Sequence, residues 1–132
     1  MNQKARAQEL NSYYSQSDRS YTTAISMTAN EVNPIWLRSS MVKYQLNDIN
    51  SAMDLMKRVE NRFPEAPEVR AAYAVLLYAK GDEDAARKKF LEIPDRQREK
   101  YSNVDYLDKV VAWPPKMKEG IGYLTKVVGD ST

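Results

Sequence analysis

Nine tyrosines, twenty lysines and arginines, and eighteen aspartates and glutamates are the groups of this 132-residue chain that could take part in chemistry. No histidine and no cysteine accompanies them. Thiolate and imidazole metal sites, Ser-His and Cys-His nucleophilic pairs, and disulfides are therefore out of reach. A reaction would have to rest on paired carboxylates or an activated lysine. Asp105 beside Lys109 comes nearest, but no second carboxylate joins Asp105 on its face. No enzyme activity, cofactor or metal is expected. What the residues can do is bind.

Charge does not define the partner. The formal net charge is +2, too little for a polyanion binder. Arg87, Lys88, Lys89, Arg96, Arg98 and Lys100 cluster in "ARKKF" and "DRQREK", but Glu83, Asp84, Glu92, Asp95 and Glu99 interleave with them at salt-bridge spacing. That pattern predicts a solvated outer face and no nucleic-acid site. Tyrosines and apolar residues remain. Met41, Tyr44 and Tyr78 fall at helical spacing and serve equally well as packing or as docking residues. "WPPK" sets Trp113 before two prolines, either as a stiff, partly buried corner or as an aromatic for a partner.

The elements that must hold these residues repeat. "QLNDINSAMDLMKRVENRFP", residues 45–64, returns as "AKGDEDAARKKFLEIPDRQR", residues 79–98, an offset of 34. In that register Ser40 stands opposite Ala74, Tyr44 opposite Tyr78, and Asp48 opposite Asp82; Ala52, Met56 and Val59 stand opposite Ala86, Phe90 and Ile93. A third step reaches Gly120, Leu124 and Val127. Each unit reads as two helices. The first arms carry Trp36–Leu37–Met41–Tyr44, Tyr73–Ala74–Leu77–Tyr78 and Val104–Leu107–Val111. Asn47, Gly81 and Pro114–Pro115 supply the stops, and Asp48 and Asp82 are placed to cap the second arms. Small residues at 52, 86 and 120 allow two antiparallel arms to approach closely. One such hairpin cannot bury its apolar face alone, so the units must stack.

These columns resemble the tetratricopeptide repeat, a 34-residue helical hairpin. Residues 33–66 match through Trp36, Ser40, Ala52, Met56 and Pro64, and residues 67–100 through Ala74, Leu77, Gly81, Ala86 and Phe90. Residues 101–132 match through Leu107, Val111, Gly120 and Leu124. Arg70, Lys43 and Asp108 depart from the pattern, and residues 1–32 read as an atypical end hairpin. The resemblance implies an all-α right-handed superhelix of antiparallel hairpins, seven or eight helices in all, forming one domain.

It also implies a concave groove lined by the first helix of each unit. Carried over residue by residue, the groove positions are Leu37, Arg38, Met41, Tyr44 and Gln45 in the first unit. Glu68, Ala71, Ala72, Val75 and Tyr78 follow in the second, and Asp105, Tyr106, Lys109 and Trp113 in the third. The positions that hold lysine and asparagine in carboxylate-clamp members hold Leu37, Met41 and Ala72 here, so capture of a C-terminal carboxylate is not expected. An apolar groove with tyrosines suits a partner helix or an extended apolar peptide. The expected function is a non-enzymatic interaction module: an adaptor, assembly factor or chaperone-like binder. The alternative is a self-associating protein whose groove is unused or filled by its own segment. No apolar signal segment or membrane span is seen, so the expected setting is soluble, in the cytoplasm or an organelle interior.

Overall fold

The computed structural model describes residues 2–10, 13–27 and 32–130, with the side chains of 2, 3, 10 and 130 left aside. The remaining parts of the expected end units lie outside the described residues. Every regular element among the described residues is helical. In chain order these are α1 (Asn2–Leu10), α2 (Tyr14–Met27), α3 (Pro34–Gln45), α4 (Ile49–Arg62), α5 (Pro67–Ala79), α6 (Glu83–Leu91), α7 (Asp95–Glu99) and α8 (Pro115–Asp130). A 3-10 turn, Lys100–Ser102, and a π turn, Tyr106–Val110, lie between the last two. From α1 to α6 each helix packs on its neighbour in sequence.

The 34-residue offset is visible in single hydrogen bonds. Asn47 has φ 68° and Gly81 φ 91°, both left-handed, and each ends its helix in the same way. Behind them the Asp48 N–H donates to the Lys43 carbonyl at 2.9 Å and the Asp82 N–H to the Leu77 carbonyl at 3.0 Å. The same two aspartates then start the next helix, their side chains accepting from the Ser51 and Ala85 N–H groups at 3.2 Å. One three-residue link thus closes one helix and opens another, twice. Asn33 caps α3, and Pro34 and Pro67 occupy first turns, where a missing N–H costs nothing.

Small residues set the close approaches. Ser40 and Ala52 are fully buried between α3 and α4, where the Ser40 hydroxyl donates to the Ala52 carbonyl at 2.6 Å. Ala74 and Ala86 are likewise fully buried, and Met56 and Phe90 fill the core nearby. In the N-terminal pair the Ser17 hydroxyl donates to the Ala5 carbonyl at 3.1 Å.

The three departures from the repeat pattern each make a polar bond. Arg70, opposite Trp36, donates to the carbonyls of Pro64 (2.9 Å) and Glu92 (2.8 Å). Lys43 reaches Asp18 of α2 at 2.9 Å, and Asp108 reaches Lys118 of α8 at 2.7 Å.

The last unit is built differently from the first two. Its first arm is α7, a 3-10 turn and a π turn, so a 3.6-residue face is not maintained. Leu107 and Val111 face inward, whereas Val104, expected on the same face, is 69% exposed. Tyr101 takes the interior place, edge-on to Tyr106 and tilted on Trp113. α8 then lies against α5, α3 and α6. A β-carbon on Gly120 would sit 2.5 Å from Val75 Cγ1, so the small residue at 120 serves contact with the preceding unit.

Candidate functional site

The face that α3 and α5 share is the one sequence analysis assigns to a partner, and α8 covers much of it. Met117, Ile121, Leu124 and Val128 recur along α8 at helical spacing and are buried, in the same core as Leu37, Met41, Ala72 and Val75. Of the residues carried over as groove contacts, these four and Ala71 therefore lie inside the protein. Glycine at 120 lets the α8 backbone come down onto Val75.

Four polar contacts seat the helix and its approach. The Lys116 N–H donates to Gln45 Oε1 at 2.9 Å, and Lys116 Nζ donates to Asn47 Oδ1 while lying 4.6 Å from the Tyr44 ring centre. Trp113 is 3% exposed, and its Nε1–H donates to Glu68 Oε2 at 3.0 Å. The "WPPK" corner is thus stiff and buried. Just before it, Ala112 has φ 46°, an uncommon conformation for a residue with a β-carbon.

Arg38 holds that bend. Its Nη1 donates to the Val111 carbonyl at 2.8 Å and its Nη2 to the Ala112 carbonyl at 2.6 Å. The same guanidinium is paired with Glu9 of α1, with Nε to Oε1 at 3.1 Å and Nη2 on Oε2. Tyr21 donates to Glu9 Oε1 at 2.9 Å, and Arg6 reaches Oε2 at 2.8 Å. Burial, with Glu9 second, pushes the Tyr21 phenol far above its ordinary range. Arg38 is thereby engaged within the chain. Glu9 gave no signal in the sequence, because its partner lies 29 residues away on another helix.

What stays open is a cleft of about 290 Å³ beside α8. Tyr44, Val75 and Tyr78 line it from α3 and α5; Lys116, Glu119, Gly120 and Tyr123 line it from α8. Tyr44 and Tyr78 are half-buried, and Tyr123 is 55% exposed. Burial first and the Glu119 carboxylate second raise the pKa of the Tyr44 phenol, which stays neutral at ordinary pH. Tyr123 falls outside the repeat columns, although its neighbour Leu124 sits in one. Asp105 and Lys109 do not line this cleft. They are exposed, Asp105 just before the π turn and Lys109 on it, and pair with each other at 3.8 Å, while half-buried Tyr106 packs on Tyr101. Three of the basic side chains pair with acids at the spacing the sequence offers, Arg87 with Glu83, Lys89 with Glu92 and Arg98 with Asp95, and Lys89 also reaches Glu60 of α4.

Paired helices stacked on small-residue contacts, with a tyrosine cleft beside the last helix, are the arrangement of a helical-repeat protein. Residues 43–107 match the family model of the tetratricopeptide repeat, from the end of α3 to the π turn. This stretch is similar to the tetratricopeptide repeat, whose members are generally non-catalytic protein-interaction modules. No curated protein and no solved structure matches the chain. No helix of the described residues is long and apolar enough to cross a membrane.

Proposed function

We propose that the chain is a non-enzymatic adaptor, assembly factor or chaperone-like binder that takes an extended apolar segment of a partner protein in the cleft between α3, α5 and α8. The observation that carries this reading is the row of Tyr44, Tyr78 and Tyr123 around one open cleft. Tyrosine offers large contact area, few rotatable bonds and a hydroxyl, which suits a docking surface. α8 already takes the place a partner helix would fill, so the remaining width favours an extended chain. Lys116 and Glu119 would set its direction.

In this reading 33–66 and 67–100 are two repeats of a right-handed superhelix, with 1–32 and 101–132 as end units. Leu37, Met41, Ala72 and Val75 shape the cleft from beneath, and Gln45 and Trp113 fix α8 over them. The protein works in solution, in the cytoplasm or an organelle interior, on protein and not on nucleic acid.

The test compares capture of partners from the source cell by the intact chain and by Tyr78→Ala and Tyr123→Ala variants, with exposed Lys88→Glu as control. Each tyrosine truncation should weaken binding by about 1–3 kcal/mol, and added salt should matter little. Cleft variants that stay folded and bind normally, while the control loses the partner, would move the functional surface to the outer face.

A further inference from the structure

α8 meets α3 and α5 through an interface complete in every respect but the covalent link that precedes it. Detached, it would expose Met117, Ile121 and Leu124 and uncover Met41 and Val75, all buried. One surface matches both exposed faces without adjustment: the same surface on another copy of this chain. We infer that α8 exchanges between two copies, each placing residues 113–130 on the α3/α5 face of the other, with Ala112 as the pivot.

The hinge carries the argument. Ala112 lies in the left-handed region at φ 46°, and Arg38 binds the two peptide carbonyls that flank its Cα, those of Val111 and Ala112. Immediately after it, Pro114 and Pro115 stiffen the link to α8 and disfavour a tight return, and the residue before a proline is pushed toward extended backbone. A strained, short hinge before a fully complementary helix is the arrangement in which exchange costs least. Opening relieves Ala112 in both chains. The contacts of Trp113 with Glu68, of Lys116 with Gln45 and of Gly120 with Val75 all re-form between chains. The partner here is a second copy, and the inference stands whether or not the tyrosine cleft binds anything.

The absence of cysteine makes the topology directly readable. A β-carbon at 120 would lie 3.7 Å from Val75 Cβ, inside the disulfide span of about 3.5–4.5 Å. A Val75→Cys chain and a Gly120→Cys chain are mixed, refolded together at high concentration and oxidised with glutathione. Light scattering follows the unmodified chain across a dilution series. Exchange predicts a dimer whose fraction rises with concentration and a disulfide joining the two different variants, located by peptide mapping. Ala112→Gly, which lets the closed bend form without strain, should lower the dimer association constant by about tenfold for each hinge relieved. A monomeric mass at every concentration overturns the inference. So does a dimer with no disulfide between unlike chains, or one that Ala112→Gly leaves unchanged. If Gly120→Cys does not fold, the masses of the unmodified and Ala112→Gly chains still decide: dimer loss in the glycine variant supports exchange, and equal masses reject it.

Discussion

Arg38 of α3 and Glu9 of α1 form a buried ion pair that also fixes the corner leading to α8. The carboxylate side chain is 3% exposed and the guanidinium 13%, with Nε–H to Oε1 at 3.1 Å. Because the guanidinium also binds the carbonyls of Val111 and Ala112, one side chain joins the first helix, the third and the last.

Removing one partner should therefore cost more than removing both. Arg38→Met leaves Glu9 buried without its main cation and should destabilise by about 3–5 kcal/mol. Glu9→Gln together with Arg38→Met should recover part of that loss, because the Tyr21 hydroxyl can still donate to the amide oxygen. Urea unfolding of the single and double variants measures the difference. A double variant no better than Arg38→Met would mean that the carbonyl contacts dominate.

Close approach at Gly120 should give a signed contrast along α8. Gly120→Ala places a β-carbon 2.5 Å from Val75 Cγ1 and should destabilise by about 1–3 kcal/mol. Val75→Ala in the same chain should remove most of that penalty. Gly122→Ala meets nothing within 4 Å and should stabilise by about 0.5–1 kcal/mol through helix propensity. Melting temperatures of the four chains check the signs.

Ala86 and Lys88 lie two residues apart on α6 in opposite environments. Ala86→Glu forces bulk and charge into a fully buried contact and should cost about 2–4 kcal/mol. Lys88→Glu, on an exposed position, should change stability little. Equal melting shifts would contradict the repeat register.

Stability should fall at alkaline pH because of buried phenols. Burial is the first cause that raises Tyr21 and Tyr101 above the ordinary phenol value of 10.0; Glu9 adds to it at Tyr21, and Tyr106 and Glu68 add at Tyr101. Below pH 10 both states keep these protons and the contribution is complete. Above it the unfolded chain loses protons that the fold retains, so stability decreases as pH rises. Tyr101→Phe should flatten that alkaline slope, measured by urea unfolding at successive pH values alongside phenolate absorbance. An unchanged slope would assign the effect to other groups.

Local residue chemistry sets the helices and turns of the two central hairpins, and it is legible from the chain alone. Their helices are set by neighbouring residues: Asn47 and Gly81 at the left-handed stops, Asp48 and Asp82 at the caps, and small residues at 40, 52, 74 and 86 in the contacts. Such signals act within a few residues, and a repeat prints them twice at the same spacing, which is why the period identified them. The last unit escaped because Val104, Leu107 and Val111 keep helical spacing while the backbone there takes a 3-10 and then a π turn around Tyr101. What covers the face of α3 and α5 follows from long-range packing. Periodicity marks Met41 and Val75 as apolar-facing without saying what faces them, and the contact of Gly120 with Val75 spans 45 residues. Nor could spacing pair Arg38 with Glu9 or with the carbonyls of a bend over 70 residues away. Those contacts exist only once the chain has folded back on itself, and they divide the face into a covered core and an open tyrosine cleft.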